Sequence, residues 1–239
     1  MTANMKQQDF LVEVCAADLA SVVAASQGGA GRIELCANLA EGGTTPSVGL
    51  VKTALSLTDI PLRVLIRPRA GDFSYDQYDV DAMAEDIQSL AQLGVSGFVI
   101  GALTPEGAID HTVMNRLILA MGGLPWTFHR AFDFCADPLD ALEKIITLGA
   151  DTLLTSGQQP SALEGAGLIH LLNHRAEGRI SIMAGAGIAA ENIEQLRELT
   201  GCTHFHLSGR KAIPNRLIST SGAIMNAPGL HPDTIRKST

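Results

Sequence analysis

The sequence predicts an α/β protein built as a TIM-type (β/α)8 barrel, and three observations carry that expectation. Eight short runs have strand character, segments of helical periodicity alternate with them, and the whole occupies 239 residues with 46% hydrophobic content. Chains of that length and apolarity bury one sizeable core, and barrels of this size are routinely single domains. The expectation is therefore one domain over residues 1–239. An open doubly wound sheet is the alternative, lowered because no G-x-G-x-x-G follows the first strand.

The strand runs begin near Leu11 (LVEVC), Arg32 (RIELC), Leu62 (LRVLIR), Gly97 (GFVIG), Trp126 (WTFHR), Thr152 (TLLTSG), Ile180 (ISIMAG) and His204 (HFHLSG). Between them DLASVVAASQGGA, VDAMAEDIQSLAQLG, PLDALEKIITLG and AENIEQLRELTG space their apolar residues for helices, and most close on a glycine suited to the left-handed C′ position. In LPWTFHRAFD, Pro125 sets the entry and Trp126, Thr127 and Phe128 favour extension. Asp137 and Pro138 then supply an N-cap and a first-turn proline for the next helix. After Gly209 the pattern fails: Pro214, Gly222, Pro228 and Gly229 interrupt any helix, so residues 210–239 are expected to be an irregular C-terminal extension with the eighth helix short, displaced or absent. Apolar surface left bare around strands eight and one would make the protein a homodimer.

With 17 Lys and Arg against 25 Asp and Glu the net charge is −8, which argues against nucleic-acid binding. The N-terminal run MTANMKQQDF has no apolar stretch of the secretory kind, and no run reaches the roughly 18 apolar residues that would span a membrane. A cytosolic protein is expected, so Cys15, Cys36, Cys135 and Cys202 are expected to be reduced thiols.

Alternation within the strands sorts the side chains further. Val12, Val14, Ile33, Leu35, Val64, Ile66, Phe205 and Leu207 fit the helix-facing side. Glu13, Cys15, Glu34, Cys36, Arg67, Thr127, His129, His206 and Ser208 then point inward, towards the strand ends where a barrel keeps its chemistry. A buried ion-pair network that merely fills the barrel mouth is the plainer reading. Yet two carboxylates, an arginine and two histidines are costly to bury unless something uses them.

These residues resemble the CutC family, named for copper homeostasis. The likeness runs through EVC at Glu13, RIELC, EGGTTPS at Glu41 to Ser47, IRPR at Ile66 to Arg69, GDF at Gly71, TFHRAFD, LTSG at Leu154 and MAGAGI at Met183. It implies a TIM-type barrel, an intracellular setting, a role in copper tolerance, and Cys15 with Cys36 as the copper site. From the residues alone, an E-x-C motif repeated on two sequential strands puts two thiols in one interior, which suits Cu(I) better than Mg²⁺ or Ca²⁺ and leaves Zn²⁺ short of ligands unless a histidine joins. Buried cysteines that only pack are the competing reading, and Cys135 and Cys202 are read that way.

An enzyme of lyase or isomerase type acting on a phosphorylated or carboxylated metabolite is the alternative function, and a non-catalytic scaffold the second alternative. For the enzyme, His129 is the expected acid–base group with Glu13 or Glu34 as partner, one carboxylate raised by its neighbour while Arg67 neutralises the other. Asp133 would cap the following helix or orient His129. Arg69, Thr155, Gly185, Gly187, His206, Ser208 and Gly209 would bind an anionic substrate, the glycines letting backbone N–H groups close on it. No Lys ends a strand, with Lys211 the only one near, which disfavours a Schiff-base aldolase; His204 is assigned to the core.

Overall fold

In a computed structural model the protein is described over residues 10–214 and 234–238. Eight parallel strands close on one another in chain order: β1 (Leu11–Ala16), β2 (Arg32–Leu35), β3 (Leu62–Leu65), β4 (Gly97–Ile100), β5 (Trp126–Phe128), β6 (Thr152–Thr155), β7 (Ser181–Gly185) and β8 (His204–Leu207). Seven helices cross between them: α1 (Leu19–Gln27), α2 (Val48–Leu57), α3 (Gln77–Ala91), α4 (His111–Ala120), α5 (Pro138–Thr147), α6 (Ala166–Ala176) and α7 (Ile193–Thr200). The expected TIM-type barrel is what forms, and its strands begin where the sequence places them, only β7 starting one residue later than expected.

Local chemistry sets the helix limits. Asp18, Ser47, Asp76, Asp110 and Asp137 each accept a backbone N–H of their helix's first turn, satisfying donors that have no partner within the helix. Past the C-termini, Gly94, Gly149 and Gly201 take positive φ, which only glycine adopts without strain.

The apolar residues divide as the alternation predicts. Ile33, Leu35, Val64, Ile66, Phe98, Ile100, Phe128 and Phe205 lie at or near zero exposure in the layer between barrel and helices. Inside the barrel Cys15, Cys36, Leu65 and Val99 make a small separate cluster, and below it the interior is polar: Glu13, Arg32, Arg63 and Thr127 are all buried.

The C-terminal extension departs from expectation where it is described. Arg210–Pro214 (β9) and Thr234–Ser238 (β10) pair antiparallel, so these residues are regular, and among the described residues no helix follows β8. β10 lies against α1 and β1, the side on which a barrel's last helix packs. That face thus has a cover within the chain, and the reason for expecting a homodimer weakens. No helix among the described residues is long and apolar enough to cross a membrane.

Candidate functional site at the barrel mouth

Closure of the barrel brings β1, β2 and β8 side by side with a stagger that places Glu13 beside both Arg32 and His206, and Cys15 beside Glu34. The two E-x-C motifs are therefore out of step by two residues. Glu13 sits one layer deeper, fully buried, with Oε2 accepting from Arg32 Nε at 2.5 Å and Oε1 in a 2.8 Å bond with His206 Nδ1. One layer up, Glu34 Oε2 lies 3.7 Å from the same His206 nitrogen and Oε1 lies 4.0 Å from the Cys15 sulfur. The Cys15 and Cys36 sulfurs are 3.5 Å apart and both thiols are buried, Cys36 also donating to the Ala16 carbonyl.

These surroundings separate two chemically identical carboxylates. Burial would raise Glu13, but the His206 hydrogen bond and the Arg32 charge outweigh it and hold the carboxyl at about 2. Glu34 is raised to about 7 by burial, with the Glu13 charge adding to it against the pull of His206. Burial works against the His206 cation, yet the charge of Glu34 and the bonds to Cys15 and Glu13 leave its pKa well above the usual value. The Cys15 thiol is pushed well up by its bond to Cys36, by burial and by Glu34.

Above this cluster opens a cavity of about 290 Å³. Cys15, Glu34 and His206 line it together with Arg67, Phe73, His129, Arg130, Gly187, Ile188 and Ser208, among others. His129, expected to work with a carboxylate, has none. Its Nδ1 accepts the Ala131 N–H at 3.2 Å, which leaves the hydrogen on Nε2, a buried atom with no partner among the described residues. Burial, then the Arg67 charge, lowers its pKa to about 3, so the ring is neutral. The histidine held between carboxylates is His206.

Arg67 does not neutralise the inward carboxylates either. Its Nη1 donates to the Glu41 and Gly43 carbonyls and its Nη2 to Gly71, clamping the loops after β2 and β3, while the guanidinium stands 5.1 Å from the Phe73 ring centre. Arg32 does that work. It shares the inward phase of Glu34, a signal already present in RIELC. Asp133 does not cap α5, whose cap is Asp137, and among the described residues it has no hydrogen bond to His129; it accepts from Thr155 Oγ1, from Ser156 N and Oγ and from Gln158 N, and pairs with Arg130. It thereby shapes the loop after β6.

Of the residues expected to bind an anion, Gly187, His206 and Ser208 line the cavity. Thr155 is spent on Asp133, Arg69 is tied to Asp72 and Asp79, and Gly185 and Gly209 do not line it. Arg130, paired with Asp133, lines the cavity where Arg69 does not. His204 is half-buried at the start of β8, its Nδ1 beside Thr203 Oγ1, and Cys135 and Cys202 are buried apart from this cluster.

A model of the CutC family matches residues 10–211. A CutC family protein of Porphyromonas gingivalis is 51% identical over 206 residues, covering 86% of this chain and 83% of its own length. One from Pasteurella multocida is 51% identical over 199 residues, 83% of this chain and 82% of that one. The crystal structure of a CutC from Streptococcus agalactiae, whose proposed role is copper homeostasis, superimposes with a TM-score of 0.78 at 35% identity, covering 82% of this chain and 97% of the other. More distant barrels, such as a deoxyribose-phosphate aldolase fold from Coccidioides immitis (TM-score 0.60, 14% identity, 83% of this chain and 80% of the other), share the fold alone.

Proposed function

The chain belongs to the CutC family, and from that premise we propose that it serves copper homeostasis by holding Cu(I) as cargo between Cys15 and Cys36 in a cytoplasmic setting. One observation carries the reading: two buried thiols, Cys15 on β1 and Cys36 just past β2, stand 3.5 Å apart, with Cys15 lining an open cavity. With metal–sulfur bonds of about 2.3 Å, that separation closes a sulfur–metal–sulfur angle of about 100°, and a small rotation of either side chain widens it. Soft thiolates in an apolar niche select a soft monovalent ion over Mg²⁺ or Ca²⁺. Both thiols must lose protons to bind, and Glu34, with Oε1 4.0 Å from the Cys15 sulfur, is the acceptor at hand.

Competition against a Cu(I) chelator under anaerobic, reducing conditions tests this. Cys15→Ser or Cys36→Ser should each lose most of the tight binding, Cys135→Ser and Cys202→Ser none, and affinity should rise with pH as the thiols ionise. Equal competition by all four variants and the parent sinks the reading.

A second reading, an enzyme of lyase or isomerase type, is supported by one specific feature: Glu13 and Glu34 are driven apart to about 2 and about 7. Neighbouring acids so separated divide into a fixed counter-ion and a proton carrier. On this reading Glu34 and His206 move the proton and Glu13 with Arg32 orients His206. Metal-free protein with a bell-shaped pH profile that Glu34→Gln abolishes would favour it over copper binding.

A further inference from the structure

Two residues that line the cavity carry buried hydrogen-bond donors with no acceptor among the described residues. His129 Nε2 and Arg67 Nε are both buried and, among the described residues, both without a partner, and each residue is only 5% exposed. The hydrogen of His129 is on Nε2 because Nδ1 already accepts from Ala131. On Arg67 three hydrogens go to the carbonyls of Glu41, Gly43 and Gly71. That leaves the Nε–H and one Nη2 hydrogen for which no acceptor is found among the described residues. Among the described residues no carboxylate pairs with Arg67, so a buried full positive charge is met only by carbonyl dipoles and by the Phe73 ring at 5.1 Å. An uncompensated charge and two orphaned donors are among the costliest things a fold can bury. They are sustained when a ligand completes them.

We propose that this cavity is a binding site for a small carboxylate metabolite, its carboxylate lying against these donors of Arg67 as the missing counter-ion and an acceptor oxygen taking the His129 Nε2–H. A planar carboxylate matches two neighbouring N–H groups of a guanidinium. A phosphate dianion matches less well, because the same 290 Å³ space is bounded by Glu34. The volume falls at the lower edge of small-molecule pockets, and Phe73, whose ring is 5.0 Å from that of His129, gives the ligand's carbon part an apolar face. The site depends on neither reading of the thiols, since none of its donors belongs to the cysteine cluster.

The test uses the full chain, without added metal, and propionate, succinate and pyruvate as probes, with propionamide and inorganic phosphate as controls. Ligand-observed NMR and thermal shift should give saturable millimolar binding for at least one carboxylate and none for propionamide, and a ¹⁵N-labelled sample should show the His129 Nε2 resonance moving on titration. His129→Phe removes the donor and should weaken binding about tenfold or more, the worth of one hydrogen bond to a charged group. Arg67→Lys keeps the charge but not the fork and should weaken it as well. If His129→Phe folds poorly, Ile188→Trp, which fills the cavity and alters neither donor, carries the test and should abolish binding at an unchanged melting temperature. Propionamide binding as tightly as propionate overturns the proposal, as does binding of phosphate alone, binding that survives Ile188→Trp, or no saturable binding of any carboxylate.

Discussion

Replacing Arg32 by Met should be the most damaging single change in the barrel interior. Glu13 is fully buried and Arg32 7% exposed, and their 2.5 Å contact is the only guanidinium bond described for that carboxylate. Two unit charges about 4 Å apart attract by about 4 kcal/mol at an effective dielectric of 20, and breaking a buried pair by removing one member costs about 3–5 kcal/mol because the other charge stays behind. For a chain of this size that lowers the melting temperature by roughly 6–20 °C. Glu13→Gln alone should cost less, and the double variant should recover part of the Arg32→Met loss, giving a coupling of at least about 1 kcal/mol in a double-mutant cycle. The loss should also depend on pH with a definite sign. Because the folded state holds Glu13 at about 2 against an ordinary 4.5, the pair's contribution is fully present above about 4.5 and fades as pH falls towards 2. Denaturant unfolding at pH 7 and pH 3 measures all of this. A loss under about 1 kcal/mol at pH 7, or additive single effects, would refute the buried-pair reasoning.

Glu34 has the opposite sign: with its pKa raised from 4.5 to about 7, the folded state keeps a proton the unfolded chain releases, so stability falls as pH climbs through that window, by up to about 3 kcal/mol. Glu34→Gln should flatten that fall, and parallel pH–stability curves for variant and parent would count against it. Gly165→Ala should destabilise by several kcal/mol, on the order of 3, because the new Cβ would lie 1.9 Å from the Ser156 carbonyl oxygen. Gly167→Ala, two residues on within α6 and with open space at that point, should instead stabilise by about 0.5–1 kcal/mol; equal effects at the two positions in thermal melts would contradict the loop packing described. Asp133→Ala should strip acceptors from Thr155, Ser156 and Gln158, loosen the loop after β6 and cost about 3 kcal/mol, visible as faster amide exchange at Ser156 and Gln158; unchanged exchange there would exclude that anchoring role.

What the sequence determined by itself was everything governed by local rules. Strand starts followed from β-branched and aromatic runs, helix starts and stops from Asp, Ser and Gly at their ends, and the inward set Glu13, Cys15, Glu34, Cys36, Arg67 and His206 from a period of two that no packing can alter. What alternation leaves open is height. The barrel's stagger set Glu13 level with Arg32 and Glu34 level with Cys15, and that offset, a property of closure over eight strands rather than of any one of them, lowers the pKa of one carboxylate and raises that of the other. Whom a long side chain meets is equally non-local: Arg67 reaches the Glu41 and Gly43 carbonyls of the loop after β2, Asp133 the turn after β6, and β10 lies on α1 and β1 from the far end of the chain. Facing direction is written in the spacing of residues, whereas partnership depends on contacts between segments far apart in the chain, which exist only once the barrel has closed.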